Sequence, residues 1–204
     1  MLFRSLREEM RGKVRVCSSP FFTSLEIFST FPHIIFESNP RESYAFEQVL
    51  VFCENSTINM ILSYYYEYAR REQIEINISA CAPPVLSLAD ADLWVLLGNL
   101  LENAVEGSRR ITAGERRITV KLLVKGGSFG VIVENLCQED TIQRQGERFL
   151  SSKNIVGSGN GIASILYFAQ KHQGMAEFEA RNGRFSASVY VAIETGGVRR
   201  LSGL

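Results

Sequence analysis

Histidine is scarce in this chain: His33 and His172 are the only two among 204 residues. The four cysteines, Cys17, Cys53, Cys81 and Cys137, are far apart and form no CxxC pair. A Cys/His zinc site therefore has too few ligands at the right spacing. Net charge is absent too, with 22 Lys plus Arg against 22 Asp plus Glu. A dedicated nucleic-acid binder carries a basic excess, so that class is set aside. No apolar run reaches the ~18 residues that suggest a membrane span. The opening "MLFRSLREEMRGKVRVC" is too charged for the apolar core of a signal peptide. Scattered cysteines without a leader fit a reducing cytosol, and the expected location is cytoplasmic. Action at a membrane would need another segment or subunit to hold the chain there.

What is present is a substantial core, with 46% hydrophobic residues. Residues 1–45 read as a separate N-terminal segment. Met1 to Val16 suits a basic amphipathic helix, and Pro20, Pro32 and Pro40 interrupt the remainder of that segment. Residues 46–194 carry a clear order of elements. Ile58, Ile61, Leu62, Tyr65 and Ala69 recur at helical spacing, with Asn55 or Ser56 as N-cap. "IEINISA" alternates as a strand. A strong helix runs from Asp90 to Arg109, followed by a hairpin turning at Gly126-Gly127. A polar stretch from Cys137 to Ser158 shows no periodicity. A helix from Ile162 to His172 and a last hairpin turning at Asn182-Gly183 complete the domain. Residues 195–204 read as a flexible tail. The expected fold is an α+β two-layer sandwich. Its mixed, mostly antiparallel sheet carries helices on one face, with a short N-terminal helical segment added.

Three stretches carry candidate chemistry. On the Asp90–Arg109 helix, Leu93, Leu96, Leu97, Leu100, Leu101 and Ala104 fall on one arc, the core face. Asn99, Asn103 and Glu106 fall in a stripe roughly 60° wide beside it, with Asp92 further up. Carboxamide oxygens there suit a hard cation such as Mg²⁺, and a solvated polar face fits the same pattern. "VIVENL" places Asn135 at the end of a strand, where open sheets bind ligands and where turn residues also gather. The polar stretch is long for a structureless connection and suits a lid. It contains Arg144, Arg148 and Lys153, which suit phosphate oxygens, and Phe149 as a packing anchor. It ends in Gly157, Gly159 and Gly161 before a helix start, which favours an anion. The glycine spacing is neither a Walker A loop nor a Rossmann fingerprint. His172 reads as an exposed surface residue.

Together the parts are more specific than any one. "LWVLLGNLLENAVEG" resembles the N-box of the GHKL superfamily of ATPases, and "GSGNGI" resembles its second glycine box. "FCENSTINMILSYYYEYARREQIEINI", "FLSSK" and "FSASVYV" are similar to the GHKL domain of peptide-pheromone sensor histidine kinases of the AgrC type. The resemblance covers residues 46–194 and implies a Bergerat fold that binds ATP with Mg²⁺. It implies Asn103 as Mg²⁺ ligand, Asn99 as the catalytic positioner of water or metal, and Glu106 beside them. Asn135 stands where most relatives have an Asp that accepts the adenine amino group. Lys153 would contact a phosphate, and Gly157, Gly159, Gly161 and Ile162 would wrap the triphosphate. The implied activity is transfer of the ATP γ-phosphoryl group to a histidine on a dimerisation helix. The implied partners are that helix, a response regulator and a second copy in a homodimer.

The chain departs from the pattern. "ENLCQ" lacks both glycines of the adenine box and has Asn for Asp. His33 follows Pro32 and has no acidic neighbour, so it does not match the phosphoacceptor motif. Two further readings stay open: a degenerate GHKL module acting by protein contact, and a serine kinase acting on an anti-sigma partner.

Overall fold

The computed structural model describes Leu6, Met10 and residues 50–137, 144–145, 148–149 and 160–194. Helix α1 (Ser56–Arg71) starts where Asn55 caps it. Asn55 Oδ1 accepts from Ile58 N at 2.9 Å, while its Nδ2 donates to Pro84 O at 3.1 Å. Asn59 Oδ1 accepts from Phe52 N at 2.7 Å, so both asparagines of "ENSTIN" fix the entry into the helix. Ile58, Ile61, Leu62 and Ala69 are fully buried along one face. Burial pushes the nearby Cys53 thiol up to about 11, and Cys53, Cys81 and Cys137 are in no disulfide.

Strand β1 (Glu75–Cys81) follows, then helix α2 (Asp90–Arg109). Leu93, Leu96, Leu97, Leu100 and Leu101 are at most 2% exposed. Each such side chain contributes roughly 1.5–3 kcal/mol relative to exposure, which makes α2 the keystone of the core. Side-chain hydrogen bonds align α1 with α2. Thr57 Oγ1 donates to Asp90 Oδ1 at 2.8 Å, and the Tyr65 hydroxyl donates to Gly98 O at 3.2 Å. Burial and then the Glu102 carboxylate push the Tyr65 hydroxyl well above its ordinary range, so it stays a neutral donor.

Strands β2 (Arg117–Lys125) and β3 (Ser128–Leu136) form a hairpin with Gly126 and Gly127 at φ 58° and 72°. Between this hairpin and the last one lie β4 (Arg144–Gln145), β5 (Arg148–Phe149) and helix α3 (Asn160–Lys171). The stretch read as aperiodic thus contains a two-residue antiparallel ladder, Arg144 with Phe149 and Gln145 with Arg148. The final hairpin, β6 (Met175–Arg181) and β7 (Arg184–Ala192), turns at Asn182 and Gly183 with φ 52° and 69°. Two central residues at positive φ match the twist of antiparallel strands, as both turn sequences predict.

The main sheet has the order β1-β2-β3-β7-β6. Among the described residues β1 and β2 pair parallel, and the other three pairings of this sheet are antiparallel. Strand side chains alternate between faces. Ile76, Ile118, Val120, Leu122, Phe129, Val131, Val133, Val189 and Val191 point to the core shared with the three helices. The expected mixed sheet with helices on one face is what forms. No helix among the described residues is long and apolar enough to cross a membrane.

Candidate functional site

Helix α2 presents Val95, Asn99, Asn103 and Gly107 one turn apart, so they form a single stripe. Asn99 and Asn103 are half-buried. Asn99 Nδ2 donates to Val95 O at 2.6 Å, one turn back, which fixes the carboxamide. Helix α3 starts directly against this stripe. A Cβ placed on Gly161 would stand 3.2 Å from Asn99 Oδ1 and 3.3 Å from both Oδ1 and Nδ2 of Asn103. The glycine is what allows the helix start and the two carboxamides to meet. A helix N-terminus carries unpaired N–H groups and a partial positive charge. Donors for an anion and oxygens for a hard cation therefore share one place. Ile162 comes next, half-buried in the first turn of α3, and Glu106 is half-buried one turn beyond Asn103.

Asn135, on β3, faces the Gly107 end of the stripe. It is 4% exposed and on the helix-facing side of β3, paired in register with Ile118 and Phe185. Its Nδ2 donates to Leu136 O at 2.8 Å, which leaves Oδ1 as the acceptor. A Cβ on Gly107 would stand 2.7 Å from Asn135 Nδ2, closer than any real contact. Gly107 therefore makes room for Asn135. Sequence reading missed it, although a small residue one turn after Asn103 on the same stripe was visible.

Lys153, Gly157 and Gly159 lie outside the described residues, as does the Phe149 side chain. The structure thus brings together Asn99, Asn103 and Gly161 at one end of the stripe and Asn135 with Gly107 at the other.

One expectation is corrected. His172 is not an exposed surface residue: its side chain is 19% exposed and packs tilted against Phe168 with ring centroids 4.6 Å apart. Its Nε2 lies 3.1 Å from Asp92 Oδ2, and Lys171 Nζ donates to both Asp92 oxygens at 2.8 Å. Helix α3 runs antiparallel to α2, so its last turn lands on the first turn of α2. The Lys171 ammonium, with His172 assisting, holds the Asp92 carboxyl below the usual carboxylate range, against the opposing effect of burial. Asp92, which shares a stripe with the asparagines by helical geometry, closes the helix pair at the far end from Gly161.

A family profile described as a GHKL domain matches residues 88–192, from the approach to α2 through the end of β7. No curated protein matches the chain. Among solved structures, the catalytic domain of histidine kinase ThkA in a nucleotide-free form superimposes with a TM-score of 0.51 at 17% identity. That match covers 67% of this chain and 90% of that one. The histidine kinase domain of the Erythrobacter litoralis EL346 blue-light activated histidine kinase gives 0.50 at 15% identity, over 67% of this chain and 59% of that one. At these identities the likeness is one of fold. The matched segment takes in more than half of the chain and every described residue of the asparagine stripe and its glycine, and the chain belongs to the GHKL family.

Proposed function

We propose that residues 46–194 are the ATP-binding catalytic domain of a sensor histidine kinase. The observation that carries this is the contact of Gly161, at the start of α3, with the carboxamides of Asn99 and Asn103. The donor set fits Mg²⁺, which takes one or two protein oxygens and fills its remaining positions with phosphate oxygens and water. Asn103 would hold the ion and Asn99 would position water or the metal. When bound, Mg²⁺ supplies neutralisation of charge on the phosphates. Asn135 Oδ1 would accept from the adenine amino group. The N–H groups at the start of α3 would face the phosphates, with Lys153, Gly157 and Gly159 joining from the lid.

The γ-phosphoryl group would pass to a histidine on a dimerisation helix, by positioning and charge neutralisation. His172 is a poor acceptor, since Asp92 and Phe168 already engage its ring. A response regulator would then receive the phosphoryl group. The peptide-pheromone branch rests on the resemblance of the α1 sequence and of "FLSSK" and "FSASVYV" to that branch.

The test is titration with a non-hydrolysable ATP analogue with and without Mg²⁺. Binding should depend on Mg²⁺, and Asn103→Ala should abolish that dependence. No binding at millimolar nucleotide would sink the proposal. A second reading, a degenerate module acting by protein contact, is favoured by the neutral Asn135 in place of an Asp. Incubation with γ-labelled ATP separates the two, because acid-labile transfer to a histidine, in cis or on a partner, excludes a binding-only role. An acid-stable phosphoprotein would instead favour a serine kinase.

A further inference from the structure

The sheet face turned away from the helices carries a second apolar cluster. The pairing sets Cys81, Leu123, Gly130, Tyr190 and Met175 in one row across all five strands. On this row Leu6 and Met10, both helical, are 4% and 0% exposed, packed with Leu123, Ile132 and Tyr190. Gly130 is their seat. A Cβ there would stand 2.8 Å from Leu6 Cδ2 and 2.8 Å from Met10 Sδ. Glycine weakens a central strand, and Gly130 has no positive φ to require it. Close approach of Leu6 and Met10, with the Tyr190 ring 3.1 Å from the same Cβ position, is the remaining reason for it.

Beyond the row the same face becomes acidic. Glu134, Glu177 and Glu179, with Ser186 and Ser188, line a groove of about 110 Å³ that continues from Ile132 and Tyr190. The segment from Met1 to Val16 has the complementary charge, with Arg4, Arg7, Arg11, Lys13 and Arg15 against Glu8 and Glu9.

We propose that this outer sheet face is a docking site for the chain's own basic, amphipathic N-terminal helix. Leu6 and Met10 are its anchors, and the acidic groove attracts the basic side chains of the segment around them. The helix is a strap. It fixes the N-terminal segment to the back of the sheet and leaves the helix-layer face, with Asn99, Asn103 and Gly161, open. Docking uses no part of the nucleotide site, so this proposal and the kinase assignment fail independently.

Hydrogen–deuterium exchange on the full chain tests it. Amides of residues 5–11 should exchange at least about tenfold slower than an unstructured segment. Gly130→Ile fills the seat with a residue suited to a strand. It should remove that protection while β2, β3 and β7 keep theirs. Met10→Glu, which leaves the sheet untouched, should do the same and stands in if Gly130→Ile fails to fold. Raising salt from about 50 to about 500 mM should speed exchange in residues 5–11. Unprotected residues 5–11 in the unaltered chain, or protection that survives Met10→Glu, would overturn the strap. Exchange indifferent to salt would overturn the role of the acidic groove.

Discussion

At the scale of single residues, small side chains decide the site. Asn99 and Asn103 are polar groups in a helix interior, costly for propensity and therefore conspicuous in the sequence. Gly107 was not conspicuous, because a glycine near a helix end reads as a terminator. Its role comes from Asn135, 28 residues later on another element. Gly107→Ala would gain roughly 1 kcal/mol of helix propensity. It would also force Asn135 aside, since the new Cβ falls 2.7 Å from Nδ2. The expected outcome is a melting temperature close to that of the unaltered protein and a roughly tenfold loss of ATP-analogue affinity, about 1.4 kcal/mol. Calorimetric titration and a thermal melt measure both, and unchanged affinity would remove Asn135 from the adenine role.

At the scale of elements, helix ends follow local rules that the sequence states only partly. Helices α1 and α3 end alike. Gln73 and Gln173 adopt φ 57° and 51°, and the next amides bond back, Ile74 N to Ala69 O at 2.9 Å and Gly174 N to Ala169 O at 2.8 Å. This is the Schellman arrangement, which usually has glycine at the left-handed position. A non-glycine residue there costs about 1–2 kcal/mol. Gln73 is exposed, so nothing in its side-chain packing opposes replacement. Gln73→Gly is expected to stabilise by about 1 kcal/mol and raise the melting temperature by about 2–4 °C. A lower melting temperature would refute the strain argument. Element positions were legible because periodicity, caps and glycine turns act over a few residues. The β4–β5 ladder was not, since two residues per strand leave no alternation to read.

At the scale of the whole molecule, the helix layer is closed by contacts across long stretches of chain. Asp92 meets Lys171 and His172 about 80 residues away. Its folded-state carboxyl is shifted down, first by Lys171. A lowered folded-state value means stability that is present above the unfolded carboxyl range, near about pH 3.9. That stability is lost as pH falls through the lower folded value. Asp92→Asn should therefore melt a few degrees lower at neutral pH, with the gap closing below about pH 4. A gap that persists unchanged at low pH would show that charge is not its source. Helical spacing put Asp92 on the asparagine stripe, but its partners depended on the antiparallel approach of α3.

The sequence by itself determined the elements other than the β4–β5 ladder, their order, the two hairpin turns and the core face of α2. Each of these comes from side-chain spacing within one segment, and strand alternation and helical periodicity are local properties. Only the tertiary structure decided which segments meet: Gly161 on Asn99 and Asn103, Gly107 on Asn135, His172 on Asp92, and Met10 on Gly130. Those contacts join residues 28 to 120 positions apart, and each requires a side chain small enough, or a charge placed well enough, for two surfaces to close. Spacing along one segment carries no record of the segment it will face, because that choice is made by packing distant segments against the two faces of one sheet.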